Sequence, residues 1–122
     1  MGETELLDML ASETDRRADT IIKGVEKLAG SGKADSARVE ALRVEAHGLK
    51  GAALVVGQAR LGELAERLEH FFAERTDSGR IDPKEAAIAV AAVSSLDEAS
   101  QAAAEGGPEP PSVAESLQRL GA

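Results

Sequence analysis

The sequence predicts an all-α fold, an antiparallel up-and-down four-helix bundle with a flexible or short-helical C-terminal tail. Three observations carry that prediction. Apolar residues recur at steps of three and four, and no segment alternates with period two for long enough to make a strand. The apolar content is mostly Ala, Leu and Val with two phenylalanines as the only aromatics, whereas sheets draw on aromatic and β-branched residues. Four periodic stretches are separated only by short breaks, so successive helices must pack as neighbours. At 122 residues the chain divides into a bundle over 1–104 and a Gly/Pro-rich linker with a short helix over 105–122.

Leu6, Leu10, Ile21, Val25 and Leu28 set the period of a first helix from Glu3 to Ala29, whose middle, "SETDRRAD", is polar and therefore exposed or locally weak. "GSGKADS" ends it, with Asp35 or Ser36 as N-cap of a second helix that runs to about Val56, where Gly57 suits the C′ position. The third helix spans about Ala59 to Arg75, its buried stripe being Leu61, Leu64, Ala65, Leu68, Phe71 and Phe72. After "TDSGRIDP", Asp82 as N-cap, Pro83 at the first helical position and Glu85 in the first turn open a fourth helix to about Ala104. "EGGPEPP" cannot stay helical, and "SVAESLQRL" offers a short amphipathic helix with Val113, Leu117 and Leu120 on one side.

Without cysteine there is no disulfide, thiol chemistry or thiolate metal site, and a reducing cytoplasm suits such a chain. The start "MGETELL" lacks an export pattern and has Leu6 where a myristoylation site needs Ser or Thr, and no apolar run is long enough to span a bilayer. A formal charge of −8 opposes nucleic acid and anionic membrane surfaces. The charge is uneven: Arg38 to Arg60 carries Arg38, Arg43, Lys50 and Arg60 against Glu40 and Glu45, a local +2, which leaves −10 elsewhere.

That basic segment holds "EAHGLKGAALVVG", in which Gly48 and Gly51 each cost a helix interior roughly 0.5–1 kcal/mol relative to alanine. At about 100° per residue, Leu42, Ala46, Leu49, Ala53 and Val56 form one seam, and His47 points roughly 140° away from its middle. His47 is thus predicted to be exposed, ringed by Glu40, Arg43, Lys50, Gly51 and Leu54, with Val44 a little further round. An exposed imidazole, partly neutral near its ordinary pKa, is a nucleophile. Lys50 at i+3 places an ammonium against a phosphoryl group on the ring, and Gly51 at i+4 leaves a notch for a partner's active site. Val44 and Leu54 give apolar docking area, Arg43 adds charge, and Gly48 is a small neighbour that crowds His47 less.

The stretch "AHGLKGAALVVGQARLGELAERLE", Ala46 to Glu69, resembles the histidine-containing phosphotransfer (HPt) domain family. The matching positions are His47, Leu49, Lys50, Gly51, Ala52, Ala53, Gly57, Leu61, Ala65, Leu68 and Glu69. The resemblance implies that His47 carries a phosphoryl group, normally on Nε2, between a histidine kinase or receiver aspartate and a response-regulator receiver domain. It implies no ATP site and no turnover by the chain alone, hence no enzyme in its own right. No cofactor is expected here, with Mg²⁺ held by the receiver. The locally basic helix would suit the receiver's acidic pocket, a monomer is the default, and the location is cytoplasmic. "LVV" at 54–56 is more apolar than the family usually shows, and Val55 and Val56 are read as thickening the core.

Two readings stand beside a free phosphocarrier: a phosphoacceptor module of a larger chemotaxis-type or hybrid histidine kinase, and a helical adaptor that is never phosphorylated. A four-helix metalloprotein lacks its inward Glu and E-x-x-H ligands, and His47 and His70 on different helices make no zinc site. His70, Phe71 and Phe72 read as packing residues with at most one phenylalanine exposed, and Gly24 as allowing close helix contact. "GSGK" lacks phosphate-loop spacing.

Overall fold

A computed structural model describes residues 2–121, which form five α-helices: α1 (Glu3–Ser31), α2 (Ser36–Val55), α3 (Ala59–Ala73), α4 (Pro83–Ala104) and α5 (Pro111–Gly121). No strand occurs among the described residues. α1 stays helical through its polar middle because Thr14 and Ala18 continue the inward row between Leu10 and Ile21. Asp35 caps α2, its carboxylate accepting from the Arg38 N–H at 3.0 Å. The seam of α2 is buried at Val39, Leu42, Ala46, Leu49 and Ala53. Its end is a Schellman turn: Gln58 N–H donates to Ala53 O at 2.9 Å and Gly57 N–H to Leu54 O at 3.1 Å, with Gly57 at φ 76°.

After this turn α3 packs on α2, so that residues far apart in sequence share one surface. All six stripe residues of α3 are buried, including both phenylalanines, which meet edge to face at 5.6 Å. The predicted capping box opens α4: Glu85 N–H donates to Asp82 at 2.7 Å and Asp82 N–H to Glu85 at 3.1 Å.

α1 packs on α2 and α4, and α3 packs on the same two helices, so the four enclose one core. Gly24 makes room for Leu42 where α1 meets α2, since a Cβ there would lie 2.7 Å from Leu42 Cδ2. At one end Gly79, held at φ 67°, accepts from the Asp35 N–H at 2.8 Å and ties the α1–α2 and α3–α4 connections together. The seat of the C-terminal helix, which the sequence leaves open, is defined, and Val55 departs from expectation. The C-terminal segment is a helix docked on α3 and α4, with Val113 and Leu117 in the core and Arg67 donating to Leu117 O at 3.3 Å. Val55 does not thicken the core: it is the last residue of α2, points away from the seam and is 83% exposed, while Val56 is partly buried.

Candidate functional site

His47 sits mid-way along α2 on the face opposite the buried seam, with 63% of its side chain exposed. α3 determines how the ring is held. Both carboxylate oxygens of Glu69 lie 3.2 Å from Nδ1. A carboxylate only accepts, so the neutral ring is the tautomer that carries its proton on Nδ1 and donates it to Glu69. Nε2 then keeps its lone pair, and it has no partner among the described residues.

Glu69 is itself only 13% exposed and is surrounded by cations. It accepts from Arg43 at 3.1 Å and lies 3.9 Å from the Lys50 ammonium. Arg43 also binds Glu40 at 2.6 Å, and that hydrogen bond holds the Glu40 carboxyl below its ordinary value. Lys50 and the imidazole thus share one carboxylate, Glu69. The local +2 of the sequence segment does not become a basic patch in space. Acidic side chains from α1 and α3 stand against it.

The two glycines flanking this histidine do different things. A Cβ on Gly51 would meet nothing within 4 Å, so the predicted notch is open. A Cβ on Gly48 would lie 2.4 Å from Arg17 Nη1 and 2.6 Å from its Cζ. Gly48 is therefore not idle space beside His47: it is the seat of a guanidinium reaching across from α1. Arg17 donates from Nε to Glu13 at 2.7 Å and from Nη1 to Glu45 at 3.2 Å, contacts that push its pKa above the ordinary value. Partly exposed ion pairs of this kind contribute about 0–1 kcal/mol, which roughly offsets the 0.5–1 kcal/mol that glycine costs the helix. Stability alone leaves the arrangement unexplained.

Around these groups the surface is apolar. Val44 and Leu54 are exposed as predicted, and Leu54 also lies over Gly62, where a Cβ would come within 2.6 Å of its Cδ2. Between the start of α1 and the end of α2 runs an open groove of about 270 Å³, bordered by Leu6, Met9, Val55, Gly51 and Glu13 over a floor that includes Leu10 and Ala52. Met9 is 56% exposed. His70 is exposed in a separate polar groove with Glu63, Glu66, Arg67 and Glu74. Among the described residues no group of three or more His, Asp or Glu is spaced to hold a metal ion, and no helix is long and apolar enough to cross a membrane.

Reading the sequence missed three contributors to this face. Glu69 was visible as the last residue of the motif, but its role depends on the α2–α3 turn folding it onto a residue 22 positions away. Met9 and Arg17 belong to α1 and carry no signal that ties them to His47.

Comparison with known proteins agrees with the motif. Residues 5–106, most of the chain, match the profile of the Hpt domain. No curated protein and no solved structure matches the chain.

Proposed function

Because the chain belongs to the Hpt domain family, we propose that it is a phosphocarrier of a two-component phosphorelay, with His47 accepting a phosphoryl group from a histidine kinase or receiver aspartate and passing it to a response-regulator receiver domain. The observation that carries this is the state of His47: exposed, with Nδ1 engaged by Glu69 and Nε2 unengaged. In transfer from a receiver, the Nε2 lone pair attacks phosphorus, and the P–O bond breaks with its electron pair left on the aspartate. The N–P bond forms with Nδ1 still protonated, so the ring becomes cationic, and the Glu69 carboxylate at 3.2 Å balances that charge. No proton has to move. The outward step is the reverse.

Lys50 supports the phosphoryl oxygens and Gly51 admits the receiver's active site, while Mg²⁺ and the acidic pocket come from the receiver and no cofactor is held here. The docking face comprises Arg43, Val44, Gly48 and Leu54, to which the geometry adds the Met9–Val55 groove. The same proposal takes α1 to α4 as an up-and-down antiparallel bundle. The reversed order of contacts supports it: Gly24 meets Leu42 while Arg17 meets Gly48, and Leu54 meets Gly62 while His47 meets Glu69. A monomer working in the cytoplasm completes the proposal.

The test is to incubate the chain with phosphorylated receiver domains or histidine kinases and to look for acid-labile, alkali-stable phosphate. Wild type is expected to label and His47→Gln to remain unlabelled. Equal labelling of His47→Gln would refute the assignment.

A further inference from the structure

We infer that Arg17 is a specificity-determining residue for the receiver domain, presenting its guanidinium to a carboxylate of the docked partner. The inference rests on the phosphotransfer role proposed for His47. Gly48 has no side chain, and the guanidinium occupies that place, immediately next to His47 in α2. Glu13 holds Nε and Glu45 holds Nη1, which fixes the fork on two sides. Nη2 has no hydrogen-bond partner among the described residues, and 22% of the side chain remains exposed. With Nε and Nη1 engaged, the guanidinium is held in place and Nη2 is left to donate a directed, charge-assisted hydrogen bond to a carboxylate.

Its position places that capture at the docking face. Glu13, the anchor of Nε, also borders the apolar groove that reaches Gly51, one turn from His47. The acceptor belongs to the partner rather than to the phosphoryl group. Gly48 stands about 100° round the helix from His47, on the side opposite Lys50, and the pinned guanidinium cannot swing across. Arg16 and Arg17 are matched by Glu13 and Glu45, so the cluster exerts little long-range attraction. Its contribution is a short-range directional bond, which discriminates between partners by whether a carboxylate meets it.

The experiment takes the full chain and, from a panel of phosphorylated receiver domains, the one that labels wild type fastest. Phosphotransfer rates are measured against receiver concentration for wild type, Arg17→Gln, Arg17→Lys, Gly48→Ala and the Arg17→Gln/Gly48→Ala double variant. The lifetime of phosphorylated His47 is measured with the receiver removed. Arg17→Gln is expected to raise KM about 3- to 10-fold with kcat within about twofold, the size of one interfacial contact. Gly48→Ala should raise KM similarly by evicting the guanidinium, and the double variant should add nothing. Arg17→Lys should not restore wild-type KM, because an ammonium lacks the fork. Gly48→Ala favours the helix, so a folding defect in the Arg17 variants leaves the question answerable. Unchanged KM in Arg17→Gln and Gly48→Ala overturns the assignment. So does a fall in kcat or phosphohistidine lifetime at constant KM, which would give Arg17 to the phosphoryl group instead. If no receiver labels wild type, the phosphotransfer role fails and this inference with it, a result distinct from labelling with unaltered KM.

Discussion

Replacing Glu69 probes the chemistry of the site most directly. Glu69→Gln keeps the shape and one acceptor oxygen but removes the charge, and Glu69→Ala removes the acceptor as well. A hydrogen bond to a charged group contributes about 1.5–3 kcal/mol against about 0.5–1.5 for a neutral one, a difference near 1 kcal/mol. Glu69 is 13% exposed but the imidazole is 63% exposed, so water screens part of that difference. At about 1.36 kcal/mol per tenfold in rate, Glu69→Gln should slow phosphorylation of His47 about two- to fivefold, the upper figure being the unscreened limit, and Glu69→Ala should slow it further. Stability should change little, because Arg43 retains Glu40 at 2.6 Å. Two measurements check this: the initial rate of phosphotransfer from a fixed receiver, and the ¹⁵N shifts of the imidazole nitrogens. Wild type should show a protonated Nδ1 and a bare Nε2, and Glu69→Ala should show a mixture of tautomers. Transfer within twofold of wild type in both variants, with unchanged ¹⁵N shifts, would refute the claim that Glu69 sets the nucleophile.

Other perturbations test separate parts of the argument. Gly51→Ala has open space and should raise stability by about 0.5–1 kcal/mol in a thermal melt, whereas Gly51→Phe should keep the helical signal and abolish transfer by filling the notch. Asp97 on α4 has a buried Oδ1 without a partner, and burial followed by the neighbouring Asp15 raises its pKa above 3.8. Such a group destabilises the fold once ionised: the penalty is absent below pH 3.8 and grows as pH rises through the elevated folded value. Asp97→Asn should therefore raise Tm at pH 7 and leave it unchanged in strong acid. Gly79→Ala should cost about 1–3 kcal/mol from the left-handed backbone alone, and more because its Cβ would come within 2.8 Å of the Asp35 nitrogen. Leu117→Ala should lower stability by about 2–5 kcal/mol, as for a core leucine, if α5 is part of the core rather than a loose tail.

How much of this was legible follows from which interactions are local. Helix starts and stops are set by backbone chemistry within a few residues, so Asp82–Pro83–Glu85 and Gly57 could be placed from the sequence. The direction of His47 was equally local, since helical geometry relates it to the Leu42–Ala53 seam. Val55 was misplaced because apolar character alone does not say which face a terminal residue takes once the helix ends. The docking of α5 was left open for a similar reason: Val113 and Leu117 mark an amphipathic helix but do not name its partner.

Electrostatics were the least legible, and the reason bears on recognition. Counting along the chain gives the His47 segment a surplus of positive charge, which invites a model of simple attraction to an acidic receiver. The folded neighbours offset that count by pairing. Glu69 from α3 meets Arg43, His47 and Lys50, while Glu13 from α1 joins Glu45 in holding Arg17. The cations nearest His47 (Arg17, Arg43 and Lys50) are therefore each held by a carboxylate. Paired charges at close range give weak long-range fields and fixed hydrogen-bond directions. On the proposed role, a partner is distinguished at contact, by whether its apolar surface fits the Met9–Val55 groove and its acceptors meet the groups on either side of His47. Salt should then alter the transfer rate only modestly, and substitutions that break the pairing should alter it more than substitutions that shift net charge elsewhere on the bundle.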